Sequence, residues 1–226
     1  MHGPPLFLQF ITDATGVPEY VVYSWAVILF ILVVALIVRS SLKLVPRGTQ
    51  NLVEVIVEFL LDLVDTSIGH MGRYFFPLIA TIFIYILVCN LFGLIPGFEA
   101  PTANLNTNAA MAIPVFLATH YYGFKLNKLG YIKHFVGPIR SVMALPLMML
   151  IFAIEVIGHI ARPLTLSVRL FGNMFAKHIL LAILLSLAPF AVLPIYMLGL
   201  LVSVVQALVF ALLAALYLAG AVEEAH

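Results

Sequence analysis

Three cations, Arg162, Arg169 and Lys177, and two imidazoles, His159 and His178, fall inside an apolar run whose one carboxylate is Glu155. A charge at the centre of a bilayer costs at least about 2.5–3.5 kcal/mol on insertion scales, so charges kept there mark a functional site. On a helix Glu155, Arg162, Thr165, Arg169 and Asn173 share one narrow face. His159 falls about 80° off that face and His178 on the far side. A guanidinium stays protonated, with a pKa above about 12, and so acts as a fixed charge. An imidazole titrates near about 6.5 and exchanges protons around neutrality. Glu155 is about 21 Å from Arg169 along a helix, too far to pair with it. An arginine without a partner in its own hairpin points to a partner on another chain. Polar groups aligned in this way line a wet path or a protein interface.

Blander roles exist for the neighbouring cations. Lys177 can snorkel toward a headgroup. Arg162, beside Pro163, can pair with Glu155 or with a lipid phosphate.

The elements that position these groups are membrane helices. Hydrophobic residues make up 64% of the 226-residue chain and charged residues 9%, and the mean hydropathy is +1.16. A soluble domain carries about 25% charged residues, so this chain lacks the polar surface to cover itself. No basic run would bind nucleic acid, and the net charge is only +1. Cys89 is the only cysteine, which excludes a disulfide frame or a cysteine metal cluster. The N-terminus has no basic region followed by a cleavage site, so no removable signal peptide is expected.

Crossing the hydrocarbon takes about 20 apolar residues. The expected spans are 20–38, 74–95, a shorter 108–124, a long stretch over 145–187, and 194–218. Segment 49–70 reads differently. Glu54, Glu58, Asp62 and Asp65 draw an acidic stripe along a helix whose other faces are aliphatic, which suits a helix lying on the membrane surface. The basic residues orient the chain. Arg39, Lys43, Arg47 and Arg73, then Lys125, Lys128, Lys133 and Arg140, mark the cytoplasmic side. Residues 1–19 then lie outside, and the tail 219–226 is cytoplasmic. The expected architecture is all-α, a single membrane domain over 1–226, with five membrane helices and one amphipathic interfacial helix.

The stretch from Leu145 to Leu187 is the odd element. As one helix it would be about 64 Å long against a hydrocarbon about 30 Å thick. Either a buried turn near Gly158 or Pro163 makes two spans, or one helix lies far over, wrapped around another membrane object. The tilted helix is favoured. If "SLAPF" turns the last two helices into a hairpin, residues whose numbers sum to about 375 face each other. Arg169 then meets Gln206, Asn173 meets Val202, and His178 meets the stretch from Met197 to Gly199. Gln206 is the only amide in the last helix, and it can hold an arginine without neutralising it.

The segments "RPLTLSVRLFGNMFAKH" and "VQALVFALLAALYLAGAVEEAH" closely resemble subunit a of F-type ATP synthases, the stator half of their proton channel. The likeness extends to "NLFGLIPGFEAPTANLNTN" and "GYIKHFVGP". It implies that Arg169 is the stator charge facing a ring of c subunits, around which the two long tilted helices wrap. It implies that Asn173, His178 and Gln206 carry the outer proton path, with Glu155 at another polar position of the family. It further implies peripheral-stalk b subunits and the rest of the synthase as partners, a bacterial inner membrane, and no cofactor. The physics fits, because an opposite charge lowers a carboxyl pKa by about 1–3 units and so ionises each arriving rotor carboxylate. One departure stands out. Relatives with histidine at the place of His178 usually carry an acid opposite it, where this chain has Gly199. Glu99 and His120, expected near an outer mouth, are the candidates to replace that acid. The runner-up reading, a secondary transporter, calls for internal repeats, and none is found. An intramembrane hydrolase would need a nucleophile or metal motif that the sequence lacks.

Overall fold

The computed structural model describes residues 8–40, 42, 43, 46, 48–95, 97–128, 145–187 and 192–223. Among them the chain is wholly helical: α1 Gln9–Thr15, α2 Glu19–Ser40, α3 Thr49–Ile68, α4 Gly72–Phe92, α5 Leu105–Asn127, α6 Leu145–Leu187 and α7 Val192–Glu223. Short 3₁₀ turns at Gly69–Met71 and Pro101–Ala103 introduce α4 and α5.

Local chemistry sets these bounds. The Asn104 side chain accepts the Asn106 N–H and caps α5, starting it three residues before the expected span. Between α3 and α4 the chain turns tightly at Gly72. A Cβ there would lie 2.9 Å from the Val64 carbonyl oxygen, so the close approach needs glycine. Arg73 sits 3.8 Å from Asp65 across this corner. Ahead of α3, Gln50 accepts from the Lys43 N–H and donates to the Lys43 carbonyl and to Glu54, tying the preceding strap to the helix.

The aliphatic side of α3 is in the core. Leu60, Val64 and Ile68 are buried with Ile79 and Ile86 of α4 and Ala214 and Leu218 of α7, while Glu58 and Asp62 are exposed. Helix α7 packs chiefly on α4, then on α3 and α5. Its buried face carries Ala207, Ala211, Ala214 and Ala215, small residues that let helix backbones approach without a strong hydrophobic drive in lipid.

Four stretches are long and apolar enough to cross a membrane: Glu19–Ser40, Thr49–Phe92, Met148–Leu181 and Leu193–Val222. Helix α5 falls outside this set because Asn106, Thr107, Asn108, Thr119 and His120 dilute it. Helices α3 and α4 run on as one 44-residue stretch broken only by the 3₁₀ turn.

Helix α6 is unbroken over 43 residues, with Pro163 inside it. No buried turn interrupts it at Gly158 or Pro163. It packs mainly on α5 and meets α7 along a shorter seam, burying Leu166, Leu170 and Met174. Its other faces are bare, with Ile157, Leu164, Val168 and Phe175 exposed.

Candidate functional site

Arg169 lies at the edge of the seam, on the exposed side of α6. Among the described residues the arginine–carboxylate pairs are Arg73–Asp65 and Arg162–Glu155, and Arg169 belongs to neither. Its guanidinium is within electrostatic reach of the Tyr217 hydroxyl on α7. The side chain thus sits exposed at the bundle's rim, outside both of those ion pairs.

One turn further on, Asn173 Nδ2 donates to Gln206 Oε1 at 2.8 Å, joining α6 to α7. The expected register placed Arg169 opposite Gln206 and Asn173 opposite Val202, so it is displaced by one turn. The cause is the pivot. Helix α6 ends at Leu187 and α7 starts at Val192, which moves the hairpin's centre toward the C-terminal end of the assumed turn and pairs 173 with 206.

Lys177 departs from the snorkelling expectation. It is only 8% exposed, and its Nζ is buried with no hydrogen-bond partner. Gly199 makes room for it, because a Cβ there would meet Lys177 Cδ at 3.2 Å and Leu94 Cδ2 at 3.0 Å. The His178 side chain lies outside the described residues, and so does the expectation that it faces Gly199. The residue packed on Gly199 is its neighbour, Lys177.

Behind these groups runs a buried amide and hydroxyl network that reading the sequence did not single out. Thr102 Oγ1 donates to Asn90 Oδ1 at 2.7 Å, and Asn90 Nδ2 donates to the Ser203 carbonyl at 3.3 Å. Ser203 Oγ donates to the Gly199 carbonyl at 2.7 Å. Asn108 Nδ2 donates to the carbonyls of Thr102 and Ser167 at 2.9 and 3.3 Å, while its Oδ1 is buried without a partner. Asn90, Thr102, Asn108 and Ser203 are fully buried. Four helices and the 3₁₀ turn are thus stitched together at the level of Gln206. The signal was present in the sequence as polar residues inside otherwise apolar helices, but only the fold brings them to one place.

Two carboxylates meet at the loop between α4 and α5. Glu99, half-buried, lies beside Glu19 at the start of α2. Burial first, then the Glu19 hydrogen bond and charge, push its carboxyl up to about 7. Tyr23 donates to the Gly97 carbonyl at 3.3 Å and holds this loop against α2.

His120, expected together with Glu99, is placed elsewhere. Its ring stacks on that of His159, centroids 5.3 Å apart and planes 24° apart, with Phe116 edge-on at 4.2 Å. His159 Nδ1 hydrogen-bonds with the Glu155 backbone carbonyl at 3.0 Å and lies 3.4 Å from Glu155 Oε1, and Arg162 reaches the same carboxylate oxygen at 4.0 Å. The Arg162 guanidinium also lies over the Tyr217 ring, 5.3 Å from its centroid. Phe116, His120, His159, Arg162 and Tyr217 border a cavity of about 20 Å³ between α5, α6 and α7, enough for one water. The 80° offset of His159 from Arg169 explains the difference, since that direction points to the buried side of α6 with Leu170.

The site residues thus fall into two groups on either side of Arg169. Asn173, Gln206 and Lys177 lie with the amide network on one side, and Glu155, His159, Arg162 and His120 on the other. Among the described residues no group of three or more His, Cys, Asp or Glu side chains is placed to hold a metal ion.

Comparison with known proteins covers the whole chain. The chain is 51% identical to ATP synthase subunit a of Trichlorobacter lovleyi, 48% to that of Geobacter sulfurreducens and 47% to that of Geotalea uraniireducens. Each alignment covers 100% of both chains. The family model described as ATP synthase A chain matches residues 21–219, and the chain belongs to that family.

Proposed function

We propose that the chain is the fixed half of a proton channel in a rotary ATP synthase, working against a turning ring of c subunits that carry mid-membrane carboxylates. The observation that carries this reading is Arg169, a permanent cation on an open helix face that pairs with no carboxylate among the described residues. A carboxylate arriving on the ring is held ionised beside it, since an opposite charge favours the charged form. Its proton leaves by one half-channel, and the next carboxylate is reloaded from the other. The arginine does not pass protons, so transfer between the half-channels requires the ring to turn. Each proton that crosses carries about 2.3 kcal/mol per 100 mV.

The bare face of α6 supports the ring as partner. A 43-residue helix laid against a cylinder of c subunits accounts for its length and for its exposed Ile157, Leu164, Val168 and Phe175. Asn173, Gln206 and His178 serve the outer path, with Glu99 at its mouth, and Glu155 serves the inner one. In this reading α2, α4, α5, α6 and α7 all span the bacterial inner membrane. The last two form a tilted hairpin, α3 lies on the cytoplasmic surface, the N-terminus is outside and the C-terminus inside. Peripheral-stalk b subunits and the remaining synthase subunits complete the assembly.

Replacing Arg169 by lysine tests the reading. A compact ammonium lacks the fork and deprotonates more readily when desolvated, so Arg169→Lys abolishes proton-driven ATP synthesis in inverted vesicles. Near-normal synthesis would sink the proposal. The orientation has its own test. Cysteines at Glu58 and Asp62, in a background without Cys89, react with an impermeant thiol reagent from the cytoplasmic side only.

A further inference from the structure

The reaction uses one proton path on each side of Arg169, and the inner side holds groups to which no role has yet been given. His120 on α5 and His159 on α6 stack at 5.3 Å beside a cavity of one-water size. The groups facing the pair are Glu155 and Arg162 from α6 and Tyr217 from α7. His159 Nδ1 addresses the Glu155 carboxylate, and Glu155 sits on the same helix face as Arg169, at the edge of the bundle. Chemically this is a short chain of proton-exchanging groups running from the interior of the bundle to the face that meets the rotor.

We propose that His120 and His159 form the inner proton relay, passing protons between the cytoplasm and Glu155 on the rotor face by way of the water-sized cavity. The relay rests on the channel reading above. Each imidazole takes a proton on one ring nitrogen and releases one from the other, so every transfer leaves the ring neutral and one proton further along. Glu155 accepts at Oε1, 3.4 Å from His159 Nδ1, as that nitrogen's hydrogen bond turns to it from the Glu155 backbone carbonyl at 3.0 Å. Two stacked imidazolium ions beside Arg162 repel one another and the guanidinium, so the pair carries one proton at a time. Arg162, held by Glu155 and by the Tyr217 ring, is a positioning residue. It keeps the carboxylate aimed at His159 and discourages charge from resting on the imidazoles.

The test uses the intact synthase complex in inverted vesicles, with rates expressed per assembled complex. His120→Phe and His159→Phe keep an aromatic ring in the stack and remove the exchangeable proton. Each is expected to lower ATP synthesis and ATP-driven proton pumping roughly tenfold or more, and to abolish the dependence of the residual rate on cytoplasmic-side pH near neutrality. In His159→Ala, added free imidazole is expected to restore part of the lost rate. Should a phenylalanine variant fail to assemble, His120→Gln and His159→Gln carry the same pH readout, since an amide hydrogen-bonds without titrating. Parent rates in the phenylalanine variants would overturn the relay. So would lowered rates with an unchanged pH profile and no rescue by imidazole, which would mark a packing role. Arg169→Lys run in parallel separates the two readings. An active lysine variant fails the channel itself, whereas an inactive one beside unaffected histidine variants fails the relay alone.

Discussion

The two sides of Arg169 are built from different chemistry. Toward the turn of the α6–α7 hairpin the polar groups are amides and hydroxyls, Asn173–Gln206 backed by Asn90, Thr102, Asn108 and Ser203, all tied by direct hydrogen bonds. On the other side they are ionisable, with Glu155, His159, His120 and Arg162 within a few ångströms of one another. Amides and hydroxyls do not titrate near neutrality, so this network can orient water and hold helices in register but cannot itself store a proton. Imidazole and carboxylate can. The stiff network therefore lies toward the hairpin turn, beside the buried Lys177, and the stacked imidazoles with their carboxylate lie on the other side of one fixed charge.

The strongest way to break this contrast is to remove the charge that separates the halves. Arg169→Ala leaves the two regions joined through one open rim, and we expect synthesis to be lost and a passive proton leak to appear in de-energised vesicles, read by a pH-sensitive dye. Next in size is the stiff side. Asn90→Leu strands the Thr102 hydroxyl and removes the amide bond to the Ser203 carbonyl, both fully buried. An unmade buried hydrogen bond costs about 1–3 kcal/mol, so the variant should reduce the amount of assembled complex and lower its melting temperature, with a normal pH profile in what remains.

Gln206→Leu is milder. It deletes the single Asn173 contact, worth about 1 kcal/mol, from a hairpin held at several other points. Assembly should survive while synthesis falls several-fold at every pH. A pH-dependent loss would show that the amide side titrates after all, and the contrast would fail.

The smallest effect is at the outer loop. The Glu99 carboxyl is pushed up to about 7 by burial and then by Glu19. A raised carboxyl favours the folded loop fully below the ordinary carboxylate value, and that contribution is lost as pH rises through about 7. The complex should therefore melt slightly higher at pH 5.5 than at pH 8, and Glu99→Gln should remove the difference.

Much of this arrangement is readable from residue order. The unbroken apolar run gives α6 with both its ends, because a helix in lipid stops where apolar side chains and backbone satisfaction stop together. The acidic stripe correctly leaves Glu58 and Asp62 exposed on α3. Register is harder. One turn of error opposite Gln206 arose from centring the hairpin on residues summing to about 375, whereas the helices end at Leu187 and resume at Val192. His120 was harder still. Its own helix gives its height but not its neighbour, and only the packing of α5 on α6 sets it against His159 rather than near Glu99. The amide network was illegible for the same reason. Asn90 and Ser203 lie 113 positions apart in the chain, and no local pattern links them.

Gly93, just past the end of α4, has a mechanical consequence. A Cβ there would lie 2.4 Å from the Cβ of Ala100, which is itself buried. Three residues behind Gly93 is Asn90, and two beyond Ala100 is Thr102, the hydroxyl that Asn90 accepts. A single methyl group at 93 would thus act as a wedge between the arms of a clasp whose closed end is that hydrogen bond. Close-packed interiors transmit such displacements rather than absorb them. The slack would pass through Asn90 to Ser203 and on along α7 to Gln206, so a substitution at the buried end of a helix would be felt as a loosened bearing.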